Sequence, residues 1–205
     1  MRILPKKYFS KKNPLTLKVA LDECVLEDTE RSKAFIYKKF YGYLMAVALR
    51  YIKNEMEAED AVNESFIKVF KKINDFVAHE DEQILEKTMK GWMARITVNT
   101  TIDKLRGRKE TFALDDVYEG ELLATAVYSE NKLNESDILK LLNDLPDIQK
   151  SIFNLYEIEG YSHDEIGQLL DIPESTSRTY LTRAKAKLRK LYTEQFIMVD
   201  NISHS

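Results

Sequence analysis

The chain has 205 residues, with 44% hydrophobic and 32% charged side chains, a formal net charge of −3 and a pI of about 5.8. That is enough apolar material for one large or two small cores, and six glycines and four prolines are too few for a turn-rich all-β fold. The overall acidity excludes a protein that coats nucleic acid indiscriminately, although contact with DNA depends on local rather than average charge.

Residues 1–14 read as a loose basic arm carrying Lys6, Lys7, Lys11 and Lys12. They lack the apolar segment of a secretion signal, and no apolar run reaches the 18 or so residues of a membrane span. A cytosolic protein without membrane insertion is the expectation. Cys24 has no partner cysteine for a disulfide or a metal site and reads as a small core hydrophobe.

From Thr16 to about Ile52 the periodicity predicts a short helix and a long one rich in aromatics. Spaced with Leu44, Val47 and Ala48, the aromatics fit a buried face better than a base-stacking platform. A second long helix follows from Glu55 to Phe76, capped by Asn54 and Glu57, with a stripe of Val62, Phe66, Val69, Phe70 and Ile73. Asp60, Glu64, Lys68 and Lys71 fall on the opposite face. Val77 to Lys87 reads as a loop or a frayed short helix.

A third helix is predicted from Thr88 to about Lys109. Its first half (Met89, Trp92, Met93, Ala94, Ile96) is apolar nearly all round and should be enclosed. Beyond it only Val98, Ile102 and Leu105 continue the stripe. The released face holds Asn99, Thr100, Asp103 and Arg106, flanked by Lys104, Arg108 and Lys109, and is suited to an anionic ligand. From Glu110 to Asn131 there is no Lys or Arg, while six acidic residues make an anionic tether.

After the tether come a helix ending near Asp144, a second opened by Pro146 and ended by Gly160, and then the most informative stretch, Gly160 to Tyr192. Ser162 and Glu165 form a capping box ahead of Ile166, Leu169 and Leu170. Pro173 stops that helix and is tolerated in the first turn of the next. The last helix buries Leu181, Ala184, Leu188 and Leu191 and turns Ser175, Thr176, Thr179, Thr182, Arg183 and Lys190 outward. Over this helix Arg178, Arg183, Lys185, Lys187, Arg189 and Lys190 stand against the single Glu174. Short hydrogen-bonding side chains near a helix N-terminus, with cations on either side, are what a helix-turn-helix reader of duplex DNA needs. The fold class is therefore all-α: two small helical bundles joined by an acidic flexible linker, the C-terminal one containing a helix-turn-helix. The boundaries are an arm at 1–14, an N-terminal domain at 15–109, a linker at 110–131, a C-terminal domain at 132–192 and a tail at 193–205.

Three segments, AEDAVNESFIKVFKKI, GWMARITVNTTIDKLRGR and LPDIQKSIFNLYEIEGYSHDEIGQLLDIPESTSRTYLTRAKAKLRK, resemble in order three blocks of the bacterial RNA polymerase sigma factors of the extracytoplasmic-function (ECF) type. The likeness spans roughly Ala34 to Tyr192. It implies a non-enzymatic factor that binds core RNA polymerase and promoter DNA, with no cofactor. Relatives are often held inactive by an anti-sigma factor, which no residue here demonstrates.

The resemblance also gives each surface a role. It places Asp60, Asn63 and Glu64 on the clamp coiled coil of the polymerase large subunit, with Asn63 standing where the family usually has Gln. It gives the −10 element to the third helix, with Asn99 lining a base pocket, Thr100 and Asp103 beside it, and Lys104, Arg106 and Arg108 on phosphates. The −35 element falls to Ser175, Thr176, Arg178, Thr179, Thr182, Arg183 and Lys187. Two departures are visible. Asp171 stands where the turn usually has Gly, at a small conformational cost. Ser177 replaces a usual aliphatic, so the start of that helix should pack less tightly.

Two other readings compete. A stand-alone helix-turn-helix regulator would leave the N-terminal bundle and its basic face without a task. An all-α Mg²⁺-dependent nucleotide hydrolase could use Glu57, Asp60 and Glu64, which share a helical face, but no acidic pair on a second helix completes the site.

Overall fold

A computed structural model describes residues 15–107 and 141–194. The arm, the acidic tether, Arg108 and most of the tail lie outside the described residues. Four helices make the N-terminal unit: α1 (Leu17–Leu26), α2 (Glu30–Ala48), α3 (Glu55–Lys71) and α4 (Glu82–Arg106). Each opens on a side-chain cap, the oxygens of Thr16, Thr29, Asn54 and Asp81 accepting from orphan backbone N–H groups of the first turn.

The helices form because their apolar residues recur at helical spacing and meet in one core. Ile36, Phe40, Leu44 and Val47 of α2 are fully enclosed, as are Ala58, Ala61, Val62 and Val69 of α3 and Leu85, Met89, Met93 and Val98 of α4. Each large aliphatic or aromatic side chain among them contributes about 1.5–3 kcal/mol relative to exposure. The aromatics of α2 serve this packing: the Tyr37 ring lies 4.5 Å from that of Phe66 and 5.3 Å from that of Tyr41. Cys24 is buried, as its sequence context suggests, and burial raises its thiol pKa.

Two expectations need correction. The third long helix begins at Glu82 rather than Thr88, because Asp81 accepts from the backbone N–H groups of Gln83 and Ile84, each at 2.9 Å. The loop ahead of it is correspondingly short. Thr100 does not belong to the released face of α4. It is only 1% exposed, and its hydroxyl donates to Ile96 O at 2.8 Å. Thr97 and Thr101 are buried in the same way, each hydroxyl satisfied by the carbonyl four residues back. A threonine that bonds its own helix presents a methyl group to the core and behaves there as an apolar residue.

In the C-terminal unit a helical end at 141–143 leads to α5 (Asp147–Phe153), a π-helical stretch (Asn154–Ile158), α6 (His163–Leu170) and α7 (Glu174–Tyr192). Gly160 follows the π-helical stretch at φ +75°, a conformation that a side chain would strain. α7 packs against α5 and α6, and α6 also touches α4, so the buried apolar residues run without a break from one unit into the other. Among the described residues no helix is long and apolar enough to cross a membrane.

Candidate nucleic-acid interface

The geometry of the helix-turn-helix follows from three local features. Ser162 and Glu165 make the capping box in both directions: Glu165 N–H donates to Ser162 Oγ at 3.2 Å and Ser162 N–H to Glu165 Oε2 at 2.9 Å. Asp171 ends α6 in the left-handed conformation, φ 56° and ψ 48°, as its place in the turn requires. Gly167 is the third feature, and composition gave no hint of it. A Cβ there would lie 2.9 Å from Ile172 O, so only glycine lets the turn fold back this closely.

Ser177 is fully buried at the start of α7. In place of aliphatic packing its hydroxyl pairs with His163 Nδ1 at 2.9 Å, and the imidazole stacks on Tyr156 with centroids 4.5 Å apart. Burial, helped by the nearby Arg178, lowers the His163 pKa and favours the neutral ring. The polar substitution is thus compensated by a hydrogen bond that joins the two helices of the motif.

With Ser177, Tyr180, Leu181 and Ala184 turned inward, α7 presents Ser175, Arg178, Thr179, Thr182, Arg183 and Lys187 outward, while Thr176 is half-buried at the edge. Arg178 pairs with Glu174 one turn back. The Arg183 guanidinium lies 5.9 Å from the Tyr180 ring centroid. The hydroxyls of Thr179 and Thr182 donate to the carbonyls of Ser175 and Arg178, leaving their lone pairs and methyl groups outward. This is a polar, cationic helix face of the width that a major groove admits.

On the N-terminal unit the exposed face of α4 carries Asn99, Asp103 and Arg106. Lys104 is half-buried, its ammonium 3.5 Å from Glu64 Oε2, while Lys68 reaches Glu64 Oε1 at 3.0 Å and donates to Thr100 Oγ1 at 3.1 Å. The Lys68 hydrogen bond, with both cations beside it, holds the Glu64 carboxyl below its ordinary range. Two residues assigned by sequence to different surfaces, Glu64 and Lys104, are therefore brought into one network between α3 and α4. Asp60 and Asn63 stay exposed, with Asn63 Oδ1 accepting from Tyr37 Oη at 2.9 Å. Trp92 is half-buried with its ring 5.2 Å from Phe76.

Comparison with known proteins covers both units. The sigma-70 region 2 model matches residues 36–111 and the sigma-70 region 4 model matches residues 135–188. The chain is 30% identical over 149 residues to the RNA polymerase sigma factor SigV of Bacillus subtilis, covering 73% of this chain and 84% of that one. It is 29% identical over 153 residues to the ECF RNA polymerase sigma factor SigW of the same organism, covering 69% and 78%. Among solved structures, the sigma factor RpoE of Bartonella quintana, in complex with the anti-sigma factor NepR, aligns over 79% of this chain and 97% of that one. The TM-score is 0.45 and the identity 22%.

Proposed function

The chain belongs to the ECF group of the sigma-70 family and acts with RNA polymerase in transcription initiation; from that premise we propose how its surfaces divide the work. The N-terminal unit docks on core polymerase through the Asp60–Asn63 face of α3 and holds the −10 element on α4. The C-terminal unit reads the −35 element with the outward face of α7. The observation that supports this division is that α4 and α7 each present an exposed face of polar side chains and cations opposite the face buried in the core.

No covalent chemistry is involved. Phosphate contacts from Arg183 and Lys187 on α7, and from Lys104 and Arg106 on α4, fix the register of the protein on DNA. The short side chains Ser175, Thr179 and Thr182, together with Asn99, contact bases. Capturing an unstacked base offsets the few kcal/mol that unpairing costs. Family membership makes the chain a binding factor rather than a Mg²⁺-dependent hydrolase, and the polymerase-binding unit separates it from a stand-alone regulator.

Arg183 gives a direct test. Arg183→Ala should weaken binding to a duplex carrying the −35 element and reduce the slope of log K against log salt by about one counterion. A full-salt titration with the wild-type slope would remove Arg183 from the phosphate contacts.

A further inference from the structure

The side chains of α7 that face DNA are exposed, but the pair that aims them is buried. Ser177 has no exposure, and its hydroxyl has a single hydrogen-bond partner among the described residues, His163 Nδ1 at 2.9 Å. A hydroxyl so enclosed needs an acceptor for its hydrogen, and the imidazole supplies one at Nδ1 when its own proton sits on Nε2. The ring, itself only 8% exposed, is held from a third element. It stacks on Tyr156 of the π-helical stretch, and Lys185 of α7 lies 5.9 Å from the Tyr156 centroid while pairing with Glu157 at 2.6 Å. A π-helical turn is rare and often marks a functional place in a helix. Arg178 and Thr179 follow Ser177 directly on α7, so a rotation of the helix at Ser177 re-aims both.

We propose that the His163–Ser177 pair aims α7 at the major groove, which makes His163 a positioning residue for −35 recognition that acts through Ser177. This role rests on the assignment of the −35 element to α7. It also requires the neutral ring, since a protonated imidazole donates from Nδ1 and turns the Ser177 hydrogen away. The charges around the ring oppose protonation. Arg178 and Lys185 face it from α7, and Glu174, which would favour the cation, is paired with Arg178. On the π-helical stretch Glu157 is taken by Lys185; on α6 Asp164 accepts from Gln168, and Glu165 is held by Ser162 N–H and by Arg95 of α4. Burial and the two cations hold the ring below its ordinary range. The native arrangement therefore excludes the proton: the pair holds fully above the ordinary value of about 6.5 and lets go as the pH falls below it.

The test measures the discrimination of the full chain between a labelled duplex carrying the upstream element of a start site mapped by run-off transcription and a scrambled duplex. It runs from about pH 5.5 to 8, at a temperature where circular dichroism shows each variant folded. The wild-type chain should lose discrimination about threefold or more toward the acid end. His163→Asn places an amide oxygen where Nδ1 stands and cannot titrate. It should keep discrimination within about twofold at the alkaline end and hold it in acid. His163→Phe keeps a ring on Tyr156 but leaves Ser177 without an acceptor, and should lose about threefold or more at every pH. Adding Ser177→Ala removes the orphaned hydroxyl and should recover part of that loss. A purely structural role would lower the melting temperatures and leave discrimination and its pH profile as in the wild type, and that result would overturn the positioning role. An acid loss that His163→Asn reproduces would overturn it too, and this comparison decides alone if His163→Phe does not fold. Arg183→Ala tests the α7 assignment by itself: it should lose affinity whatever the His163 variants do, and wild-type binding there would remove the assignment and the positioning role with it.

Discussion

Replacing Asp60 and Asn63 together with alanine is expected to weaken binding to core RNA polymerase by at least about tenfold, or about 1.4 kcal/mol. Met56, Asp60, Asn63 and Ile67 follow one another at steps of four, three and four along α3 and form a single outward row. The apolar ends of that row are unusually open, Met56 at 75% and Ile67 at 56% exposure. Exposed apolar side chains beside well-placed polar ones suit a protein interface, where a few side chains supply most of the affinity. The Tyr37 hydroxyl fixes the Asn63 amide by donating to its oxygen, which leaves the amide N–H groups for the partner. Pre-orientation of this kind lowers the entropic cost of docking and suits the shorter asparagine to a place where relatives carry glutamine. Because both residues are exposed, the double variant should keep the wild-type melting temperature and the −35 affinity of its C-terminal unit. Surface plasmon resonance against immobilised core polymerase, with duplex binding in parallel, measures both. Equal loss of the two activities would mean that the fold had been damaged.

Glu64, on the same helix, has a different part. Its carboxylate holds Lys68 and Lys104. Removing it would release two cations beside the proposed −10 surface and mix the two effects.

The second large effect is expected at Gly167→Ala. The added methyl group would sit 2.9 Å from Ile172 O and 3.5 Å from Glu174 N, both backbone atoms of the turn and of the start of α7. Neither can move without tilting α7 against α6, so the overpacking should cost about 1–3 kcal/mol. The C-terminal unit should melt at lower temperature, and −35 binding should fall further than stability alone requires, because the tilt re-aims Thr179, Thr182 and Arg183. Thermal melts followed by circular dichroism, paired with duplex binding below the melt, separate the two. Wild-type behaviour in both would show that the turn tolerates a wider separation of the helices than the structure has.

Local patterns made much of this molecule legible in its sequence. The caps at Asn54 and Ser162, the stripes of α2, α3 and α7 and the left-handed Asp171 all follow from residues within a few positions of one another. Thr100 escapes a reading by periodicity, which counts threonine as polar, whereas a hydroxyl bonded to its own helix is buried without penalty. The acidic run around Asp81 hides the step from Leu85 to Met89 and with it the start of α4, although an Asp three residues before a hydrophobic side chain is itself a cap signal. Gly167 carries no local mark at all, since its requirement is set by Ile172 O across the turn. Contacts between the two units have no local mark either: Arg50 and Glu159, or Asn99 and Tyr161, are brought together only by the packing of whole units.

Run-off transcription with purified core polymerase and a pool of promoter sequences tests the central claim most directly. The wild-type chain should direct core to discrete start sites preceded by a common pair of elements, with Asp60→Ala/Asn63→Ala abolishing most of the signal and Arg183→Ala reducing it selectively at promoters that depend on the upstream element. A purified, folded chain that leaves core polymerase unable to start at any defined site would contradict the account.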